Sequence, residues 1–418
     1  MTGDVTSALA GADEWVLHSI QSEDRQMFWR LSDRHAERAT KIETGALTVY
    51  VDREGKRGAA VCYLGGGKQD GDRVQDALTA AELVLNPGYN LPTGPVTYPA
   101  VDLAEELPDS DALAAYGDAL HTRIRQAGTT LSHLELYAAR EQDAVQASNG
   151  RHAEWAGTRY EMDLVVAGGP ADAFEHRVLR RSRRLCDLAP DAVLEAATEV
   201  ARDRARAELP PSGRMAVILP GAELTLLLQT VRARVSAEAL YQHYFPYQIG
   251  DTLVSSEGDP FTLHANALRP YALHSAPTDV STVPGQRVLL VQNGVITGLL
   301  ADPQYGAYLG MPPTGPVGTL EWEAGSAPAL DLTQDGPVLE VVSFSANMPN
   351  PLTGDFAAEI KFGYLHENGH RTPVAQGSVS GNVLELLARC VRSKETEEYP
   401  GYFGPSRVRF ENVQVSGR

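Results

Sequence analysis

The four residues Pro-Pro-Ser-Gly at 210–213 constrain the fold of this chain more than any other short segment. Proline cannot continue a helix, and it disfavours helical geometry in the residue before it. The charged stretch at 189–209 has the composition of one long helix, which must end at this break. With 418 residues, the chain is long enough for two domains. We therefore predict an N-terminal α/β domain at 1–210 and a mainly β domain at 211–418.

Before the break, two predicted strands are followed by two predicted helices and then by two more strands. The segments predicted as strands are 47–51, 58–64, 134–138 and 160–166, and those predicted as helices are 74–85 and 109–126. The first two strands flank a turn-forming segment, Asp-Arg-Glu-Gly, and the first helix has apolar residues at helical spacing. This order predicts a first domain that contains a βαβ unit.

After the break, strand patterns dominate. A strand at 215–219 precedes a helix at 222–240, whose leucines and valines form one stripe. Two Asn-Gly pairs predict hairpins at 288–300 and 362–374, because both central turn positions need positive φ. One later helix is predicted at 382–392. The fold class is therefore α+β, with a βαβ-containing N-terminal domain followed by a strand-rich, barrel-like C-terminal domain.

Composition and charge limit the partners and the compartment. The formal net charge of −18 repels a phosphate backbone, so we expect no nucleic acid partner. Cys62, Cys186 and Cys390 are scattered, with no CxxC pair, which favours a reducing compartment. The first residues lack the basic and apolar regions of a secretion signal, and the apolar runs are too short to span a bilayer. We predict a cytoplasmic protein without membrane contact.

The segment His-Glu-Asn-Gly-His at 366–370 matches the zincin pattern HExxH. In zincins, both histidines lie on one helix face and the glutamate between them acts as a general base. Here the motif contains Asn-Gly, and a two-residue turn would pair Glu367 with His370 and His366 with Arg371. Adjacent strand residues point to opposite faces of a sheet. We therefore interpret the segment as a polar hairpin tip whose two histidines cannot share one ion.

A series of short motifs carries a family resemblance. They are Pro-Ser-Gly at 211–213, Val-Gln-Asn-Gly-Val at 291–295, Thr-Gly at 314–315, Asn-Pro-Leu-Thr-Gly-Asp-Phe at 350–356, Glu-Asn-Gly at 367–369, Pro-Val at 373–374 and Gly-Asn-Val-Leu-Glu-Leu-Leu at 381–387. From residue 189 to the end, this combination resembles the TldD/PmbA (TldD/TldE) family of metallopeptidase proteins. The first 180 residues match that family only in the order of their elements.

The resemblance implies where a zinc site would lie. In the TldD branch, the helix after the first strand of the second domain carries HExxxH, and a cysteine near the C-terminus completes the site. Aligned by its leucines, this chain has Gln229 and Thr230 in place of His-Glu, and Arg234 in place of the second histidine. A guanidinium has no lone pair for a metal, and glutamine and threonine are poor zinc ligands. The tail at 399–406 has no cysteine, and Cys390 is expected on the late helix as a packing residue.

These departures resemble the metal-free TldE (PmbA) branch. We therefore expect no catalytic residue, metal ligand or cofactor in this chain, and zinc in a TldD-like partner subunit. The inert subunit would shape the chamber for a peptide or an amide-containing substrate. Ala357 and Ala358 replace a Ser-Arg-like pair, and the aromatic segment at 241–247 is also unusual for the family, so a specialised peptide or natural-product pathway is one hypothesis.

Two segments are candidates for binding the substrate or the partner. The first is Thr353, Gly354, Asp355 and Phe356, which could offer a strand edge or else form a tight turn. The second is the aromatic group of Tyr241, His243 and Tyr244, which could line a chamber or an interface or else belong to the core. His264 and His274 are interpreted as structural.

The leading hypothesis is a non-catalytic subunit of a heteromeric zinc metallopeptidase. One alternative is an independent metallohydrolase that uses the HExxH segment. Another is a homodimeric scaffold that binds a peptide without cleaving it. Bound zinc in the isolated chain would favour the first alternative, and a stable homodimer without any partner effect would favour the second.

Overall fold

The computed structural model describes residues 3–30, 33–67, 69–170, 174–188 and 191–418. Among them, one antiparallel sheet organises the first half of the chain. Its strands are β1 (Glu14–Arg30), β2 (Asp33–Arg53), β3 (Lys56–Leu64), β4 (Asn86–Pro87), β5 (Thr130–Ala147), β6 (His152–Gly168) and β7 (Phe174–Ser182). Their order in the sheet is β4-β3-β2-β1-β5-β6-β7. Neighbouring strands pair antiparallel throughout.

Helices cover the apolar side chains of this sheet. The helices described here are α1 (Gly3–Ala8), α2 (Asp70–Leu83), α3 (Ser110–Gln126) and α4 (Asp191–Asp203). One core joins α2 to β2 and β3, and it includes Leu47, Val49 and Val74. A second core joins α3 and α4 to the centre of the sheet around Trp29 and Tyr160. The sheet therefore stands as a scaffold with its helices packed in two groups.

The predicted elements of the first half are present, but several are longer or shorter than predicted. The predicted strands lie inside β2, β3, β5 and β6, and both predicted helices are found. The predicted order of two strands, two helices and two strands is found, yet no pair in the described sheet is parallel. The predicted helix at 189–209 is wrong in length, because α4 ends at Asp203 and a 3₁₀ turn follows. Residues 189 and 190 of that prediction lie outside the described residues.

A closed five-stranded barrel forms the centre of the second half. Its strands are β8 (Gly213–Pro220), β13 (Val338–Phe344), β14 (Asp355–Glu367), β16 (Ser378–Asn382) and β20 (Arg407–Ser416). The order β13-β8-β20-β16-β14 closes because β14 also pairs with β13. Two short strands extend it, β15 (His370–Val374) beside β14 and β17 (Cys390–Arg392) beside β20. The barrel confirms the prediction of a strand-rich, barrel-like second half.

A second sheet and four helices pack around the barrel in the described part of this half. The strands are β9 (Leu263–Asn266), β10 (Arg287–Gln292), β11 (Val295–Ile296), β12 (Thr319–Trp322), β18 (Thr396–Tyr399) and β19 (Tyr402–Pro405), in the order β11-β10-β9-β12-β19-β18. The helices are α5 (Gly221–Arg234), α6 (Ala237–Tyr241), α7 (Pro303–Leu309) and α8 (Val383–Ala388). Barrel, sheet and α5 share one large core.

Both predicted Asn-Gly hairpins are confirmed. Asn293 and Gly294 have φ of 49° and 83°, and Asn368 and Gly369 have φ of 52° and 76°. The predicted helix at 222–240 is instead two helices, because Ser236 caps α6 by accepting a hydrogen bond from the Ala239 amide. Within the described residues, the structure contains no helix that is both long and apolar enough to cross a membrane.

The late helix is also shorter than predicted. Helix α8 ends at Ala388, and Cys390 lies on β17 rather than on the helix. The Cys390 side chain is 1% exposed and its Sγ contacts the Leu387 carbonyl oxygen at 3.3 Å. Burial raises the pKa of this thiol to about 12, which disfavours the thiolate that would bind a metal.

Candidate functional site

Helix α5 carries the positions that the family resemblance assigns to zinc. Its apolar stripe, Leu224, Leu227, Leu228 and Val231, is buried in the core. The opposite side exposes Leu226 and Arg232 to solvent. The helix packs against β18 and β19, which belong to the C-terminal tail. The structure therefore brings the helix and the tail together, as the resemblance implies.

The two side chains at the first zinc positions are unsuited to a shared ion. Gln229 is half-buried, and its Oε1 accepts a hydrogen bond of 3.1 Å from Arg232. Thr230 is only 1% exposed and sits on the core side of the helix. An amide oxygen that already accepts a hydrogen bond and a buried hydroxyl are poor ligands for a shared ion.

Arg234 links α5 to the loop that contains Pro351 and Leu352. Its guanidinium is 5% exposed and donates to the carbonyl oxygens of Thr230 (2.9 Å), Pro351 (2.8 Å) and Leu352 (2.6 Å). The guanidinium carbon also lies 4.6 Å from the centre of the Phe245 ring. Burial lowers the pKa of Arg234, but a guanidinium stays protonated at any ordinary pH. A permanent cation therefore occupies the place of the second zinc ligand.

Zinc does not fit this group of residues. The three aligned side chains offer an amide, a hydroxyl and a cation, and the cation would repel a divalent metal. Across residues 3–418, apart from the short gaps given above, no cluster of three or more His, Cys, Asp or Glu side chains is suitably placed for a metal. No step of a reaction can be derived from a metal at this position.

A cleft of about 350 Å³ lies beside Arg234 and the loop that it binds. Its walls include Gln229, Arg232, Tyr244, Pro351 and Leu352. Tyr244 is 56% exposed and Leu352 is 60% exposed, so the cleft has two accessible apolar walls. A mixed apolar and polar surface of this kind suits a peptide segment or a neighbouring protein chain better than an ion.

The segment at 353–356 is a structured turn that leads into β14. Gly354 has φ of +85°, a conformation that favours glycine, and its amide donates to the Asn350 carbonyl oxygen at 2.8 Å. The Asn382 amide side chain donates to the Thr353 carbonyl oxygen and to Asp355 Oδ1, both at 2.9 Å. These contacts anchor the turn to the N-terminus of α8.

Only part of this segment is available as a surface. Thr353 and Asp355 are exposed, and the hydrogen bonds from Asn382 and Thr353 lower the pKa of the Asp355 carboxyl. Phe356 is 6% exposed and belongs to the large core of the second half. The prediction that Phe356 belongs to a binding surface is therefore wrong. The side chain lies on the inner side of β14 and is part of the core.

The aromatic candidates divide between two places. Tyr241 packs against the rings of Tyr305 and Tyr308 on α7, with ring centres 5.8 Å and 4.8 Å away. His243 is exposed and has φ of +56°, and Tyr244 lines the cleft beside Arg234. The three residues predicted as one surface therefore contribute to an aromatic cluster and to the cleft separately.

The HExxH segment has the predicted hairpin geometry. Glu367 is opposite His370 and His366 is opposite Arg371, so the two histidines point to opposite faces. His366 Nε2 lies 2.8 Å from Glu340 Oε2, and Arg407 donates to the other oxygen of the same carboxylate at 2.9 Å. His370 is exposed. The predicted pairing across the hairpin is confirmed.

Several residues of the site were missed from the sequence. Pro351 and Leu352 matter through their carbonyl oxygens, and backbone oxygens leave no signal in side-chain patterns. Tyr305 and Tyr308 join the aromatic cluster from α7, and their spacing of three residues on a helix was an available signal. Asn382 caps α8 by accepting a hydrogen bond from the Leu384 amide, and an asparagine directly before a helix is a sequence signal for such a cap.

Known structures share this architecture. TldE from Thermococcus kodakarensis superposes with a TM-score of 0.82 at 19% identity, covering 99% of both chains. A proposed modulator of a DNA gyrase from Thermotoga maritima gives 0.82 at 18% identity, again over 99% of both chains. A protein of similar description from Bacteroides thetaiotaomicron gives 0.77 at 19% identity, over 99% of this chain and 97% of the other. At these identities the likeness establishes the fold, an α+β architecture that this chain shares with the three proteins.

Sequence comparison adds the family. Residues 212–417 match the PmbA/TldA metallopeptidase C-terminal domain. An uncharacterized protein of Methanocaldococcus jannaschii is 26% identical over 207 residues, which are 46% of this chain and 48% of that protein. The aligned region thus spans about half the length of this curated relative. The chain belongs to the TldD/PmbA family and is a metallopeptidase-family protein.

Proposed function

We propose that this chain is a non-catalytic, TldE-like subunit that pairs with a zinc-bearing, TldD-like subunit. The observation that carries the proposal is Arg234, a buried cation hydrogen-bonded to three carbonyl oxygens at the place of a zinc ligand. Such a residue stabilises the helix without a metal and cannot donate electrons to one. In the pair, the partner would supply the zinc and the catalytic base.

The role of this chain would be to shape the chamber for a peptide or an amide-containing substrate. The cleft beside Arg234 supports this role, because Tyr244 and Leu352 expose apolar surface next to exposed polar groups. The aromatic cluster of Tyr241 with α7 supports a specialised substrate in a peptide or natural-product pathway. We place the pair in the cytoplasm, since all three cysteines are free thiols.

The test is a reconstitution with a chain that carries an intact HExxxH motif and a tail cysteine. Light scattering gives the mass of the complex, elemental analysis gives zinc per complex, and an unstructured peptide reports hydrolysis. We expect the mixture to hydrolyse the peptide and neither chain to do so by itself. Hydrolysis should be lost when the motif glutamate of the partner is changed to glutamine. Leu352→Glu should weaken assembly or peptide turnover, while Ile249→Glu, a change at another exposed apolar residue, serves as the control.

Two outcomes would refute the proposal in favour of its alternatives. Stoichiometric zinc and hydrolysis in the isolated chain would show an independent metallohydrolase. A stable homodimer whose properties do not change when the partner is added would show a binding scaffold.

A further inference from the structure

A second cleft, of about 390 Å³, lies where the two halves of the chain meet. One wall comes from the end of β7 and the turn after it, and the other from residues 269–273 and from β18 and β19. The halves are joined directly beside it by Arg183, which is buried and donates to the carbonyl oxygens of Ala272 and Leu273 at 3.0 Å. Arg183 therefore links the two walls of the cleft.

The cleft concentrates arginines in a chain of net charge −18. Arg180, Arg181, Arg184 and Arg269 line it, together with the acidic residues Asp187, Glu397 and Glu398. Each of these acids is already paired with one arginine: Asp187 with Arg184, Glu397 with Arg180, and Glu398 with Arg269. The fourth arginine, Arg181, pairs with Glu161, which lies outside the lining, so the lining itself holds four cations and three anions.

Two of the arginines bind their acidic partners through Nε. Arg181 uses Nε to reach Glu161 at 2.6 Å, and Arg184 uses Nε to reach Asp187 at 2.7 Å. Within the part of the chain that the structure describes, the terminal amino groups of these two side chains donate no hydrogen bond. Both side chains are about half exposed, so these donors are open to a ligand.

Aromatic rings support the guanidinium groups. The Arg184 guanidinium carbon lies 5.1 Å from the centre of the Tyr271 ring, and that of Arg180 lies 5.0 Å from the Tyr399 ring. A side chain that is held by a ring and by an ion pair loses less conformational entropy when it binds a ligand. The arrangement is therefore organised before any ligand arrives.

We propose that this cleft binds the free C-terminal carboxylate of a short peptide. An arginine fork suits the two oxygens of a carboxylate, and the volume lies in the range of small-ligand pockets. Leu273 and Pro400 add apolar wall for the side chains of the peptide. The nearby Glu397 and Glu398 disfavour a dianion such as phosphate, because like charges repel. The inference does not depend on the proposed partner, since the cleft belongs to this chain alone.

The test uses an N-acetylated tripeptide with a free carboxylate, the same peptide as its C-terminal amide, and inorganic phosphate. Calorimetry on the full chain gives the affinity of each. Cys186 provides a second readout, because it is the exposed cysteine of the three and it lines the cleft. We expect the acid peptide to bind, to slow alkylation of Cys186 by iodoacetamide, and to exceed the amide and phosphate about tenfold or more in affinity.

Variants locate the binding. Arg184→Ala and Arg181→Ala should each lower the affinity for the acid peptide about tenfold or more, because each removes a charged hydrogen-bond donor. Arg177→Ala is the matched control, since Arg177 lies on β7 like Arg181 and forms a surface ion pair, with Asp163, outside the cleft. The inference is overturned if no peptide binds, if acid and amide bind equally, if phosphate binds best, or if Arg177→Ala weakens binding as much as Arg184→Ala.

Discussion

Helix α5 and the hairpin at 366–370 are the two places where sequence patterns suggest a metal, and they resolve the suggestion differently. On α5 the aligned position holds Arg234, whose charge is permanent and whose partners are neutral carbonyl oxygens. On the hairpin the motif residue His366 contacts the carboxylate of Glu340, which also pairs with Arg407. The Arg234 hydrogen bonds do not depend on a group that titrates in the ordinary range of pH. The Glu340 contacts involve a carboxyl and an imidazole.

The comparison shows that matching residue types are not enough for a metal motif. The direction in which each side chain points decides whether it can bind a metal. The hairpin has the letters of HExxH, but alternation along the strand separates its two histidines. The helix lies beside the tail, as the family pattern requires, but its polar positions serve packing between distant segments. Both places hold the protein together, and their contributions should differ in size and in pH dependence.

The largest effect is expected from Arg234→Ala. The change removes three hydrogen bonds from a charged donor and the contact with Phe245, so we expect a loss of about 2 to 4 kcal/mol in the free energy of unfolding. The loss stays moderate because Pro351 and Leu352 are exposed, which lets their freed carbonyl groups reach water. Urea denaturation followed by circular dichroism measures it, and hydrogen exchange should show the opening at α5.

Arg232→Ala is the matched control for that measurement. Arg232 lies on the same helix but is exposed, so its removal should cost no more than about 0.5 kcal/mol. The Arg234→Ala loss should also be nearly constant from pH 6 to pH 9. Equal losses in the two variants would contradict the conclusion that Arg234 stabilises the contact between α5 and the loop at 351–352.

The next effect concerns Glu340 and depends on pH. Burial tends to raise the pKa of this carboxyl, but the hydrogen bond with His366 and the charges of Arg407 and His366 outweigh burial and lower it. A carboxyl whose pKa is lowered in the folded state contributes stability above its unfolded pKa of about 4.3, and loses it as pH falls through the folded value. Glu340→Gln should therefore cost about 2 kcal/mol at pH 7.

The same comparison fixes the direction of the pH dependence. The gap between the wild-type chain and Glu340→Gln should narrow as pH falls below about 4.3. Glu359→Gln serves as the control, because Glu359 is exposed on β14. Denaturation curves at several pH values measure the gap, and a gap that widened toward acid would show the opposite sign for the Glu340 contact.

Local turn chemistry made parts of this fold predictable. Both Asn-Gly pairs form the expected tight turns because their positive φ values are cheap for asparagine and glycine and costly for other residues. The pairing inside the hairpin at 366–370 then followed from counting residues away from the turn. The strand-rich character of the second half followed from the strand patterns that dominate after the Pro-Pro-Ser-Gly break.

Other features depend on contacts that no local pattern contains. Strand β1 has a polar sequence over much of its length, and it forms because β2 and β5 pair with it along both edges. Two of the three Arg234 partners lie 117 and 118 residues away in sequence, and all three are backbone oxygens. The break between α5 and α6 also depends on a distant contact. The Ala237 amide donates to the Leu300 carbonyl oxygen at 2.8 Å. Tertiary contacts of this kind override propensity.

The smallest effect is expected from the hairpin histidines on metal content. His366→Ala should lower stability by about 1 kcal/mol because Glu340 loses a partner, and His370→Ala should change it by no more than about 0.5 kcal/mol because His370 is exposed. Neither variant should change the zinc content of the isolated chain after dialysis, since side chains on opposite faces of a hairpin cannot chelate one ion. Elemental analysis beside denaturation separates the two roles. A zinc content near one per chain that falls in both variants would mean that the histidines meet at one ion, for which the hairpin would have to open into a helix, and the contrast with α5 would then disappear.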